Sequence, residues 1–363
     1  MNFFKKPFSI FILIMASAYG AECSTIDLDK GNGSMANIPP LNQHYTNTCY
    51  AHAGAVMLDA WLHSHGGDRT KLTSPLATAV FNNGDMMSMG LGNISCAAID
   101  SIDDYGRCEK NGFDDKVWND FKFFDPISPS QRATDIMKLL GELYVKPPRK
   151  RFSSKSNGFS QNRKLRKWKK ENKIRAQKIY CSMDSLSLGT FSNVSLESLE
   201  DAMASISKET YYKKMIQTLC GNKIEDISDD IPSCNSSKRI LHAEDRTPKN
   251  FKKKIHEILE SDNPQPIGVG YCGNLLYKGK DFRGFKKGVL GFVSLDVLTG
   301  SDCGLHESVV IGRKMVNGRC QLKIRNSWGA DATYPRWESD NNGNVWVDEE
   351  TFTQNMGSLT YLE

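Results

Sequence analysis

Cys49-Tyr-Ala-His-Ala-Gly-Ala-Val-Met-Leu-Asp-Ala-Trp61 is the stretch on which the fold turns. Ala53, Val56, Met57, Ala60 and Trp61 recur at i, i+3, i+4, i+7 and i+8, the spacing of a helix with one apolar face. The helix would begin at Cys49, with Asn47 or Thr48 as its cap. Unpaired backbone N–H groups and the positive end of the helix dipole favour a thiolate there, so the position predicts a thiol of lowered pKa. A cysteine so placed is a candidate nucleophile, and it then needs a base, a group to orient that base, and donors for an oxyanion.

The other half of such a site lies far along the chain. Ser308-Val-Val-Ile-Gly-Arg313 and Cys320-Gln-Leu-Lys-Ile-Arg325 have strand composition and flank Val316-Asn317-Gly318-Arg319. Asn-Gly between apolar runs is a strong hairpin signal. The hairpin brings His306, at its entry, close to Asn326-Ser-Trp-Gly329, at its exit. Parity resists at one point. A two-residue turn pairs Val316 with Arg319, sets Asn326 opposite Val309, and leaves His306 on the other face, because side chains alternate. The reading therefore requires an extra residue, expected as a bulge near Glu307 or as a three-residue turn.

The order Gln43, Cys49, His306, Asn326, with the string Asn326-Ser-Trp-Gly329, resembles the papain-like cysteine peptidases. The resemblance covers residues 37 to 125 and 255 to 363. It implies an α+β, two-domain papain-like fold, with a helical left domain carrying Cys49, an antiparallel β-barrel-like right domain carrying His306 and Asn326, and the cleft between them. By the same resemblance, Cys49, His306 and Asn326 are the catalytic triad. Gln43 and the Cys49 N–H form the oxyanion hole, Trp328 shields the His–Asn hydrogen bond, and Gly90 and Gly92 belong to the substrate wall. Leu72-Thr-Ser-Pro-Leu resembles a family helix start, and Pro266-Ile-Gly-Val-Gly-Tyr-Cys272 the first strand of the β-domain. The implied reaction is peptide-bond hydrolysis through a thioester acyl-enzyme, on a protein or peptide substrate, with no cofactor and no metal. A catalytically degenerate binding module and an amidase or transpeptidase on the same triad are the alternatives. Asn47-Thr48 before the cysteine and Tyr50 after it depart from the usual pattern.

Cys49 and His306 are separated by 257 positions, whereas the family spacing is about 130 to 150, so a large insertion lies between them. Residues 1–20 read as a signal peptide: Lys5 and Lys6, an apolar run, then small residues. Residues 21–130 form the N-terminal arm and helical left part, 131–260 the insertion, and 261–363 the β-rich right part. The insertion carries short helices near Asn193–Met203 and Tyr211–Leu219. Its segment 149–178 holds thirteen Lys and Arg against Glu171 alone, which leaves the rest of the chain at about −7 in a protein of net charge +5. Basic residues around Trp168 suit an anionic surface, while a solvated loop and a lid over the cleft are the competing readings.

The signal sequence and ten cysteines point to a secreted or periplasmic protein with disulfides and no transmembrane anchor. With Cys49 free, at most four bridges and one spare thiol remain. Cys96 with Cys108 and Cys303 with Cys320 are the near-neighbour candidates. His63-Ser-His65 is expected at an exposed helix end, and the spacings offer no zinc-binding set.

Overall fold

The computed structural model describes residues 23–43, 47–83, 95–120, 140–148, 158–186, 194–230, 247–284 and 303–363. The signal segment 1–20, the glycines Gly90 and Gly92, and the basic residues of 149–157 lie outside them.

The chain is an α+β protein built on a seven-stranded antiparallel sheet. The strands are β1 (Ile26–Asp27), β4 (Ile267–Cys272), β5 (Leu305–Val316), β6 (Arg319–Arg325), β7 (Glu338–Ser339), β8 (Asn344–Asp348) and β9 (Met356–Thr360), in the order β7-β8-β6-β5-β4-β9. The short β1 pairs with β5 at Gly312 and Arg313, beyond the end of β4. A separate two-stranded ribbon joins β2 (Arg107–Cys108) to β3 (Ile224–Glu225).

Helix α1 (Cys49–Ser64) is the central element. It packs on β4 and β5 on one side, and on α2 (Pro75–Asn83) and α3 (Ser95–Tyr105) on the other. The expected single apolar face is therefore too narrow: every residue from Tyr50 to Ala60 is buried. Small residues make this possible. A Cβ on Gly54 would stand 2.9 Å from Ala98 Cβ and 3.0 Å from the Ser95 carbonyl, so α1 and α3 touch backbone to backbone. The start read at Leu72-Thr-Ser-Pro-Leu is present as α2, where Ser74 Oγ accepts from Ala77 N at 3.0 Å and Pro75 opens the helix.

Among the described residues two large apolar cores result, with a small cluster of Tyr50, Ala51, Ala79 and Ala98 where α1, α2 and α3 meet. The first joins the sheet, α1 and α8 (Pro248–Leu259), whose Phe251, Ile255 and Leu259 face the strands. Each such fully buried side chain contributes about 1.5–3 kcal/mol. The second gathers α2, α4 (Asp114–Asp120), α5 (Gly158–Leu186), α6 (Leu196–Met203) and α7 (Lys208–Cys220). Helices α6 and α7 stand where short helices are expected, each started by a serine whose Oγ accepts from the N3 amide. The basic segment differs from the loop reading, since residues 158–178 belong to a 29-residue helix. Trp168, expected among exposed basic residues, is buried together with Asn172 and Ala176 on the face that meets α6.

The near-neighbour disulfide pairings are not formed. Cys108 bonds Cys220, Cys272 bonds Cys303, and Cys320 bonds Cys23. Cys96 is also disulfide-bonded, whereas Cys49 and Cys181 are free. Nearness in sequence fails as a guide because strand pairing brings distant segments together. The Cys23–Cys320 bridge, for instance, ties the N-terminal arm to β6 beside β1.

Candidate active site

The hairpin resolves the parity conflict four residues along the strand from Glu307, where the bulge is expected, and not by a three-residue turn. Val316 pairs with Arg319 across a two-residue turn in which Asn317 and Gly318 have φ of 49° and 73°, as a type I′ turn requires. The extra residue is Ile311, bulged between Val310 and Gly312. Beyond it the register advances by one, so Val309 faces Arg325. Ser308, and with it His306, is then carried onto the face of Asn326.

The two side chains meet there. His306 Nε2 lies 2.6 Å from Asn326 Oδ1. The same oxygen accepts from Ser327 N at 2.8 Å and Ser308 Oγ at 3.1 Å, and Asn326 Nδ2 donates to Tyr334 Oη at 3.1 Å. A backbone N–H can only donate, so the atom facing Ser327 N is the amide oxygen. Nε2 of His306 must therefore carry the proton, which leaves Nδ1 as the acceptor nitrogen. Trp328 packs against the imidazole with ring centroids 5.1 Å apart, and stacks in turn on Tyr277 and Tyr334. Tyr271, opposite His306 on β4, presents its ring edge-on at 5.7 Å. On the far side Gly273 leaves room, because a Cβ there would stand 2.8 Å from His306 Cβ. The Cys272–Cys303 bridge fixes the chain just ahead of β5, three residues before His306.

Cys49 begins α1, as its spacing predicts. Thr48 occupies the N-cap without a side-chain cap bond; its hydroxyl and carbonyl instead lie 3.2 and 2.9 Å from His52 Nδ1. Neither Asn47 nor Thr48 thus serves as a side-chain cap, and Asn47 takes a left-handed φ of 51° at the turn into the helix. The Cys49 thiol is half-buried, and the backbone N–H groups of Glu307, Tyr50 and Cys49 itself favour its thiolate form. Glu307 follows His306 directly, so the two distant segments converge on one spot.

The electrostatics depart from the sequence reading. Burial pushes the Cys49 thiol up to about 11, and the Glu307 carboxylate adds to this, outweighing the backbone N–H groups of the helix start. Burial also pushes His306 down to about 4 despite its bond to Asn326. Burial thus weighs against charge on the half-buried thiol and on the imidazole alike.

Gln43 is brought to the same place by backbone pairing. Its N–H donates to the Ser327 carbonyl at 2.8 Å, Asn42 bridges Trp328, and Gly329 N donates to the Leu41 carbonyl at 2.9 Å. Gln43 Oε1 accepts from Ser327 Oγ, which sets the orientation of its amide.

Glu307 is the residue the sequence reading misses as a participant. It is 4% exposed, and its Oε1 accepts from Ser95 N at 2.8 Å and from Ser95 Oγ. A strand residue thus caps α3 from across the molecule. Gly268 on β4 permits this, since a Cβ there would stand 2.6 Å from Ser95 Oγ. Burial raises the Glu307 carboxyl to about 7 against the lowering effect of the Ser95 bonds. The available signal was an acid within an otherwise apolar strand, one step from the histidine.

His63 and His65 are split: His63 is buried, while only His65 is exposed, stacked on Trp61 at 4.0 Å. Among the described residues one trio has ligand spacing for a metal, His256, Cys320 and Glu349. The Cys320 sulfur is committed to Cys23, and Glu349 pairs with Lys252 and His256.

No protein-family model matches the sequence, and no curated protein matches it. Among solved structures the chain is similar to PepW from Lactobacillus rhamnosis HN001, at 13% identity, over 93% of this chain and 81% of that one, with a TM-score of 0.38. A likeness this distant leaves the functional reading to the geometry of the site.

Proposed function

We propose that this chain is an exported, papain-like cysteine peptidase that hydrolyses peptide bonds through Cys49, His306 and Asn326. The observation that carries the reading is the His306–Asn326 bond of 2.6 Å, beside Glu307, whose carboxylate and backbone N–H both act on the Cys49 thiol. Helices on one side of α1 and the antiparallel sheet on the other suit the two halves of that fold. Three described disulfides suit an oxidising compartment, and no described helix is long and apolar enough to cross a membrane.

In this mechanism Nδ1 of His306 takes the thiol proton as Cys49 sulfur attacks the scissile carbonyl, so the charged pair forms only when substrate is in place. The Cys49 N–H and the Gln43 amide face the developing oxyanion. Collapse of the tetrahedral adduct breaks the C–N bond, the imidazolium protonates the departing amine, and a thioester remains. Water, deprotonated by His306, then releases the acid. Asn326 holds the imidazole in the Nε2–H tautomer throughout, and Trp328 keeps water from that bond.

Incubation with an epoxide-type cysteine-protease inhibitor, followed by mass mapping, tests the reading. Modification of Cys49, lost in Cys49→Ala together with peptide cleavage, is the expected result. Absence of labelling at Cys49 would identify a degenerate binding module, and product transfer to an added amine would identify a transpeptidase.

A further inference from the structure

Helix α5 is about 43 Å long at 1.5 Å per residue. Its inner face is used up by the second core: Trp168 and Ala176 are buried, and Asn172 Nδ2 donates to the Met203 carbonyl at 3.0 Å. Its outer face is cationic. Lys167 and Lys173 pair with Glu171 and Glu200 at 3.8 and 2.9 Å. Arg163, Lys164, Arg166, Lys169, Lys170 and Lys178 are exposed and have no acidic partner among the described residues. Two of the five exposed large apolar side chains among the described residues belong to the same region, Ile174 at 45% and Ile206 at 68% exposure. Both flank one segment: Arg175, next to Ile174, donates to the Glu142 carbonyl at 3.0 Å, and Tyr144 Oη donates to the Ile206 carbonyl at 3.4 Å.

We propose that this face of the insertion docks on an anionic phospholipid bilayer. Charge alone would suit any polyanion, and two further observations choose among them. The aromatic ring that could have stacked on nucleobases, Trp168, faces the core. The exposed isoleucines gain nothing against a phosphate backbone or a sulfated glycan, whereas a bilayer interface rewards both the basic row and the apolar side chains beside it. The helix lies flat, its lysine and arginine heads among lipid phosphates, with Ile174 and Ile206 entering the headgroup boundary. The chain outside residues 149–178, at about −7, is repelled by the same surface and orients the protein with the basic segment downward. Docking requires no turnover, so it stands or falls independently of the peptidase reading.

Flotation of the full-length chain with vesicles tests this, using phosphatidylcholine containing about one-third phosphatidylglycerol, and phosphatidylcholine alone. The expected result is binding to the anionic vesicles only, weakening as salt is raised. Each basic residue near the surface contributes roughly fivefold in partitioning, so Lys164→Ala with Arg166→Ala, Lys169→Ala and Lys170→Ala together should lower it by more than about a hundredfold. Ile174→Ser with Ile206→Ser, both exposed and safe for folding, should lower vesicle binding about tenfold and leave retention on heparin or duplex DNA unchanged. Absence of binding to anionic vesicles, equal binding to neutral ones, indifference to the isoleucine pair, or tighter binding to duplex DNA than to anionic vesicles would each overturn the proposal.

Discussion

Replacing Glu307 by glutamine should abolish a pH dependence of stability that the wild type carries. The folded protein raises this carboxyl from 4.5 to about 7 because burial disfavours its charge. A raised carboxyl binds its proton more tightly folded than unfolded. Its contribution is therefore present in full below about pH 4.5, falls as pH rises from there through about 7, and is constant above. At 1.36 kcal/mol per pH unit the loss is on the order of 3 kcal/mol. Glutamine cannot ionise, yet its Oε1 can still accept from Ser95 N and Ser95 Oγ, the bonds made by the carboxylate. Any cost of its buried NH₂ is the same at both ends of the range and cancels in the comparison. Urea unfolding followed by tryptophan fluorescence, in a Cys49→Ala background to prevent self-cleavage, gives the two stability curves. The variant should gain about 3 kcal/mol on the wild type between pH 4.5 and 8, a large fraction of a typical domain's stability. Asp59 and Asp114 are also raised by burial, to about 6 and 7, and they bend both curves alike. Parallel curves for wild type and variant would refute the argument.

Further outcomes follow from the same geometry. Alkylation of Cys49 by iodoacetamide in the free protein should climb about tenfold per pH unit between pH 6 and 9, with no plateau in acid, since burial holds the thiol at about 11. Glu307→Gln should move that profile toward lower pH by removing a neighbouring negative charge. Gln43→Ala should cut kcat about a hundred- to a thousandfold with Cys49 labelling preserved, and His306→Ala should cut it about a hundred- to ten-thousandfold; an enzyme indifferent to Gln43 would place the oxyanion donors elsewhere. Gly273→Ala should displace the imidazole, since its Cβ would stand 2.8 Å from His306 Cβ, and lower kcat while the unfolding midpoint moves little; unchanged turnover would sink that reasoning.

Local signals in the sequence were enough to set out the parts. The apolar spacing after Cys49 gives the central helix, Asn317-Gly318 gives the hairpin, and parity along its strands shows that one extra residue is needed to unite His306 with Asn326. Tertiary structure decided the rest, for reasons of packing. Nothing in the sequence marks Ile311 rather than Glu307 as the bulge; β1 decides it by pairing with Gly312 and Arg313 just past that point. The thiol's protonation reverses the helix-terminus expectation, because enclosure of Cys49 and the carboxyl of Glu307 are properties of the assembled site. Disulfide partners 31 to 297 residues apart are chosen by strand and helix contacts and not by nearness in the chain. A dense run of lysine and arginine reads as a solvated loop on charge alone. Its helix forms because Trp168, Asn172 and Ala176 recur every four residues and find a second core to enter, a surface that no single stretch of sequence reveals.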